Sequence, residues 1–380
     1  MNIERWMILL LVVLLTACHC NDEDSTDRDC YLDIYVYAPD RPIVTRGDVG
    51  EITPADAEKE VKTLQIWVFK NSDGTKVGYV QATPHLLNGT TGQEMFRMEV
   101  DKTFANAPEA VDVYVVANAS SCGLTLGESS TRANLDAAVI GKIEETDHFG
   151  TTPLVSAVPA GGLPMSAVLK NQPIHGSFPT LRIGTETEMS VVQLTRAVSK
   201  LRFVLCQSNN NSGRELVSID NISLNGNLIP VSSWLIPREV NNYTYNHEAI
   251  SYGSIQGNTI PAVADPMVYL YETQTAQYYE DMINTAITEG HLMQRGLTYL
   301  RESDQQLTGT IRYTYSENQT NTTVNTEFSM AAPGDFLRNH SWIIYIFYMG
   351  TKIHVQVVTH IGMRGWDSNG EEKDVSVYNW

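Results

Sequence analysis

The chain has 380 residues, 42% hydrophobic and 18% charged, a balance that excludes a disordered protein and leaves apolar surface for one large β-rich domain or two of ordinary size. Its 44 acidic residues outnumber 26 basic ones, giving a net charge of -18, and no block of Lys and Arg interrupts that acidity. The electrostatic footprint of a nucleic-acid binder is therefore absent, and the acidity speaks for solubility and self-repulsion without choosing a fold.

The N-terminal segment carries the clearest signals. Met7 to Leu15 is an uninterrupted apolar run behind Glu4 and Arg5. It is too short for a bilayer span of ~20 residues and fits the hydrophobic region of a secretory signal. Leu15-Thr16-Ala17-Cys18 resembles the lipobox of bacterial lipoproteins, in which the Cys becomes the lipidated new N-terminus. A plain signal peptide cut near Ala17 is the alternative. The acidic stretch from Asp22 to Asp29 resembles the tether of outward-routed lipoproteins, and a solvated linker accounts for it equally well. Leu32, Ile34 and Val36 then alternate with Tyr31, Asp33, Tyr35 and Tyr37, the period of a half-buried strand. That strand stands alone ahead of Pro39, Pro42 and Arg46-Gly47.

Along the body, Thr53-Pro54 with Asp56 predicts a helix start. LQIWVFK, the NSDG turn, FRMEV and VDVYVVANAS predict strands in a sandwich core. Thr131 to Lys142 reads as a short helix, and Asp147 to Pro179, rich in Gly, Pro and Ser, as a long loop. A second set of strands opens at VVQLTRAVSKLRFVL, placing a domain boundary near Thr187. Further strands are expected at Leu216 to Leu224, Ala262 to Tyr271, Gly309 to Tyr315, Thr326 to Met330, SWIIYIFYMG, KIHVQVVTHI and KDVSVYNW. SENQTNTTVN reads as a low-complexity loop, and Gln274 to Gln294 as a helix from the spacing of Tyr278, Met282 and Ile283. Many short strands between turn signals imply one or two β-sandwiches.

The residues do not assemble a catalytic or metal constellation. The five cysteines, Cys18, Cys20, Cys30, Cys122 and Cys206, include no CxxC pair, and Cys122 and Cys206 are expected as buried thiols rather than a disulfide. The nine His residues form no HExxH; His354 and His360 share a strand face by their spacing and read as packed strand residues. No phosphate-binding glycine loop or GxSxG elbow occurs. Asp22-Glu23-Asp24 departs from calcium-loop spacing, and Arg46-Gly47-Asp48 is too short a match to carry an integrin-binding reading.

The order of PADAEKEVKTLQIWVF, VDVYVVANAS, GGLPMSA, QLTRAVSKLRFVL, MVYLYE, FLRNHSWIIYIFYMG and a terminal VSVYNW resembles the fimbrillin family, the major fimbrial subunits of type V pili. The resemblance implies a mainly β fold, two transthyretin-like β-sandwich domains in tandem with a few short helices, and no enzymatic activity or cofactor. It implies a signal peptide over residues 1–17, a tether and removable strand over 18–46, sandwich domains over 47–187 and 188–370, and a candidate donor strand over 371–380. In such a precursor Cys18 is the lipidation site and holds the chain at the outer membrane. An Arg-specific protease cuts between Arg46 and Gly47, Leu32, Ile34 and Val36 belong to the strand that leaves, and Val375, Val377, Tyr378 and Trp380 belong to the donated tail. Residues 1–46 carry eight acids and four bases, so removing their -4 from -18 leaves -14 on the mature unit.

Partners implied are other pilin subunits, joined head-to-tail at the cell surface. Arg41 is a rival cut site, but the following Pro42 makes that bond a poor substrate. A self-paired last strand, a tip or anchor subunit, and a non-polymerising lipoprotein that binds glycan or protein through exposed Trp and Tyr remain open.

Overall fold

The computed structural model describes residues 29–38, 56–88, 92–141, 158–238, 242–245, 247, 249–271, 276–330, 336–350, 352–360 and 377–379. Four larger sheets hold most of these residues. The first contains β1 (Cys30–Tyr37), β4 (Gln93–Val100), β8 (Ile174–Ser177), β9 (Thr180–Ile183) and β10 (Val191–Gln193). The second runs β11 (Thr195–Arg196), β7 (Met165–Gln172), β5 (Val111–Ala117), β2 (Leu64–Lys70) and β3 (Lys76–Ala82). The third runs β17 (Ala262–Val263), β12 (Ser199–Ser208), β21 (Ser341–Met349), β22 (Lys352–His360) and β23 (Val377–Asn379), with β18 (Met293–Leu300) also on β12. The fourth contains β13 (Arg214–Leu224), β15 (Ile250–Ser251), β16 (Ile255–Gln256), β19 (Thr308–Glu317) and β20 (Thr320–Ser329). A short pair, β6 (Val139–Ile140) with β14 (Ser233–Trp234), joins distant parts of the chain.

The expected mainly β sandwich fold with few short helices is what these sheets build. Side chains of the first and second sheets meet in one core with Ile34, Trp67, Val113 and Leu181 at its centre. Those of the third and fourth meet in another, around Phe203, Ile222, Tyr313 and Trp342. β12 and β21 are buried along nearly their whole length because both faces are covered. Leu201, Phe203 and Leu205 face the fourth sheet, whereas Val204 and Cys206 face Tyr279 and Ile283 of the helix Ala276–Thr288.

Local chemistry explains where the sequence expectations hold and where they shift. The NSDG turn joins β2 to β3 through Gly74 at φ 75° and an Asp73 carboxylate that accepts from the Thr75 amide at 2.7 Å. The helix expected near residue 131 is the single turn Arg132–Asp136, begun by a Thr131–Asn134 capping box. The helix Ala276–Thr288 stands where expected, but its buried face is Tyr279, Ile283 and Ala286; Tyr278 is exposed and Met282 only half-buried, a rotation of one residue.

Three further expectations are corrected. The stretch read as a long loop contains β7 and β8, since Met165, Ser166 and Ala167 pair with Ala117, Val116 and Val115 of β5. SENQTNTTVN ends β19, turns at Asn318-Gln319, both at positive φ, and starts β20, whose Thr and Asn face solvent. AVADPMVYLY yields only β17, because Asp265 caps a 3-10 turn that begins at Pro266. Cys30, Cys122 and Cys206 are buried free thiols, as expected for the last two. His354 stacks on Phe347 with ring centroids 4.9 Å apart, a packed strand residue.

The change from the first pair of sheets to the second falls between Arg196 and Ser199. β10 and β11 still pair with β1 and β7, and β12 then opens the third sheet.

Candidate functional site

β1 lies inside its sheet, not at an edge. All eight of its residues pair antiparallel with β4, from Cys30 opposite Val100 to Tyr37 opposite Gln93. Its other edge pairs in parallel with β9 over residues 31–33 and with β10 over residues 35–37. The Tyr31 amide donates to the Pro179 carbonyl at 2.8 Å, the Leu194 amide to the Tyr37 carbonyl at 3.1 Å, and the Ala38 amide to the Gly92 carbonyl at 2.8 Å. Among the described strands, β4 pairs only with β1. β1 is thus what hydrogen-bonds β4 to the rest of the sheet.

The alternation of the strand decides which side chains fill the core. Cys30, Leu32, Ile34 and Val36 are at most 1% exposed and pack among Phe96, Met98, Val100, Leu181, Ile183 and Val192. Burying Leu32, Ile34 and Val36 contributes roughly 1.5–3 kcal/mol apiece. Losing the strand uncovers that trough and leaves two rows of backbone groups unpaired, a state that a soluble monomer holds poorly.

The opposite face carries a recognition feature that the sequence reading did not single out. Arg97 of β4 lies directly across from Asp33 and grips it with both prongs, Nε to Oδ1 at 2.7 Å and Nη2 to Oδ2 at 2.8 Å. The Asp33 hydrogen bond, then its charge, holds the Arg97 guanidinium above its usual pKa. The same guanidinium sits 5.5 Å from the centroid of the Tyr31 ring. The only hint in the sequence was one acid on the outer face of an otherwise apolar and aromatic strand.

Leu32, Ile34 and Val36 are brought together in the slot, and Val377 and Tyr378 lie in β23. The β23 backbone pairs antiparallel with β22, Val377 opposite Val358 and Tyr378 opposite Val357. The last strand is therefore self-paired at an edge of the third sheet. Cys18, Arg46, Gly47, Val375 and Trp380 lie outside the described residues, as do the acidic tether and the Arg-Gly-Asp tripeptide. Among the described residues no group of three or more His, Cys, Asp or Glu is placed to hold a metal ion, and no helix is long and apolar enough to cross a membrane.

Fold and slot together define a β-sandwich protein whose N-terminal strand is an internal element of its first sheet. Residues 44–196 match the sequence profile of the family described as "Major fimbrial subunit protein (FimA)", so the fimbrillin resemblance read from the sequence holds, and that family is one of structural subunits, not enzymes. No curated protein sequence matches the chain. Among solved structures, a candidate cell adhesion protein from Parabacteroides distasonis is 12% identical and superposes with a TM-score of 0.50, covering 92% of this chain and 96% of its own. The tip fimbrial protein Mfa3 from Porphyromonas gingivalis, with a C-terminal truncation, is 16% identical at a TM-score of 0.45, covering 89% of this chain and 100% of its own. At such identities the first of these likenesses speaks to the fold alone.

Proposed function

We propose that the chain is a structural subunit of a cell-surface fimbrium, exported as a lipoprotein on Cys18, cut between Arg46 and Gly47, and polymerised by donor-strand exchange with a role in adhesion. The observation that carries this reading is the position of β1. It is an internal strand of its sheet, and it lies in the chain between the lipobox Cys and the candidate cut site. One cut after Arg46 severs β1 from the body of the protein while it is held there only by hydrogen bonds and packing. The vacated slot then accepts an apolar strand from a neighbour, by the same backbone pairing that β1 used. Donation from one copy to the next does not close on itself and builds a filament. The partners are other pilin subunits and, during maturation, an Arg-specific protease and the outer membrane.

A second reading, a tip or anchor subunit, is favoured by one observation: the last strand pairs with β22 of its own chain instead of standing free. The two are separated by incubating purified precursor with an Arg-specific protease. A stalk subunit gives a new N-terminus at Gly47 and a ladder of SDS-resistant oligomers. A tip subunit is cut but gives no ladder. An uncut bond after Arg46 leaves the anchor, or a surface lipoprotein that binds its ligand as a monomer.

A further inference from the structure

We propose that the donated tail enters the β1 slot in one register, with Asp374 of a second copy taking the place of Asp33 on Arg97. This rests on the strand-exchange reading above and adds which tail residue meets which slot residue. Residues 374–378 read Asp-Val-Ser-Val-Tyr, and residues 33–37 read Asp-Ile-Tyr-Val-Tyr. Two segments more than 300 residues apart thus share an acid, β-branched residues one and three positions later, and a Tyr at the fourth.

Three of these shared positions have a task in the slot. Ile34 and Val36 are the 1% and 0% exposed side chains of β1, and Val375 and Val377 fill their places with the same branched shape. When β1 departs, Arg97 is deprived of its two-pronged carboxylate partner, and Asp374 restores it. The tail then runs antiparallel to β4 and parallel to β9 and β10, in the sense of the strand it replaces.

The competing register is displaced by two residues, because a shift by one would turn the valines outward. It seats Val375 and Val377 at the positions of Leu32 and Ile34. Both registers therefore bury two valines, and each brings one Lys and one Asn to inward positions, to which the proposed register adds Glu371 at the end of the strand. In the proposed register Glu371 falls at Cys30, Lys373 two residues on at Leu32, on the same face, and Asn379 at Ala38, just beyond the strand; in the displaced one Lys373 and Asn379 fall at Cys30 and Val36. Apolar matching is close to a tie. Direct pairing breaks it, since only the proposed register sets the acid opposite Arg97, whereas the displaced one sets Ser376 there and the acid at the position of Tyr31, opposite Glu99.

Disulfide trapping distinguishes the registers without touching Arg97 or Asp374. Met95 lies opposite Tyr35, and its side chain is 42% exposed. Directly opposed Cα atoms in an antiparallel pair are ~4.5–5.5 Å apart, within the reach of a disulfide. In the full-length chain treated with an Arg-specific protease and oxidised, Met95→Cys with Ser376→Cys is expected to give a covalent ladder that reduction abolishes. Met95→Cys with Tyr378→Cys is expected to give none. The opposite pattern overturns the register while leaving strand exchange intact. A cross-linked monomer overturns the role of a second copy. Failure of the unsubstituted chain to polymerise overturns strand exchange itself, and the register with it. As a second readout, Asp374→Asn should slow ladder growth by about threefold to tenfold at low salt in the parent and leave it unchanged in an Arg97→Gln background; equal slowing in both overturns the assignment to Arg97.

Discussion

Lys200, near the start of β12, donates to the Glu58 carboxylate at 2.8 Å, with both side chains at most 9% exposed. The Tyr299 hydroxyl donates to the same Oε1 at 2.7 Å, and Arg196 donates from Nε to the Glu58 backbone carbonyl at 2.9 Å. Arg196 also reaches Asn339 at 3.1 Å. Glu58 stands twelve residues after Arg46, so the chain just beyond the candidate cut is pinned where the first two sheets hand over to the third.

Removing one partner of such a buried pair leaves the other charge uncompensated. Lys200→Met is expected to destabilise the protein by about 3–5 kcal/mol, and Lys200→Met with Glu58→Gln to recover part of that loss. Urea denaturation of the three proteins checks this. A Lys200→Met variant as stable as the parent contradicts the pair's role.

Acid should weaken the fold for the same reason. Burial pushes the Glu58 carboxyl up, but the Lys200 ammonium and the hydrogen bonds from Lys200 and Tyr299 outweigh it and leave the pKa below the ordinary 4.5. Burial likewise raises Glu302, and Arg338, gripping it with Nη2 at 2.5 Å, brings it below 4.5. Both groups titrate lower in the folded chain than in the unfolded one. Their stabilisation is complete above the unfolded pKa and is lost as pH falls through the folded value. Denaturant midpoints should therefore be flat from pH 7 to pH 5.5 and fall below about pH 4.5.

Ile34→Ala separates precursor from product. In the precursor it empties a buried position and should cost about 2–5 kcal/mol. After the strand has been cut away and replaced, the substitution is no longer in the molecule, so assembled fibres should melt like those of the parent. A fibre weakened by Ile34→Ala would mean that β1 stays in place.

Cys206 should be chemically silent in the folded protein. Burial raises its pKa to about 12, even though its Sγ lies 3.0 Å from the Tyr345 hydroxyl. Iodoacetamide at pH 8 is expected to label Cys206 only in urea. Rapid labelling of the native chain would contradict its burial on β12 under the helix Ala276–Thr288.

Much of this was legible in the sequence because period and turn chemistry are local. β1, β2, β5, β13, β21 and β22 all announce themselves by branched and aromatic runs. Where alternation was masked by Gly, Pro and Ser around Met165, a pairing partner far back in the chain, β5, made the strand; in β20, whose polar side chains face solvent, the turn at Asn318-Gln319 and the pairing with β19 made it. The one-residue rotation of the helix Ala276–Thr288 has the same origin: Tyr278 and Tyr279 are equivalent in sequence, and only the cover over Val204 and Ile343 selects Tyr279. The apolar face of the candidate slot could be read as Leu32, Ile34 and Val36. Its ionic face could not, since Asp33 and Arg97 are 64 residues apart and meet only through the β1–β4 register.

The most direct test of strand removal is the N-terminal residue of the protein as it stands on the cell surface, read by N-terminal sequencing or intact mass of isolated fimbriae. Cleavage that frees β1 predicts a chain beginning at Gly47, with Cys30 to Tyr37 absent. A surface-exposed chain that begins at a lipid-bearing Cys18 and retains those residues would contradict it.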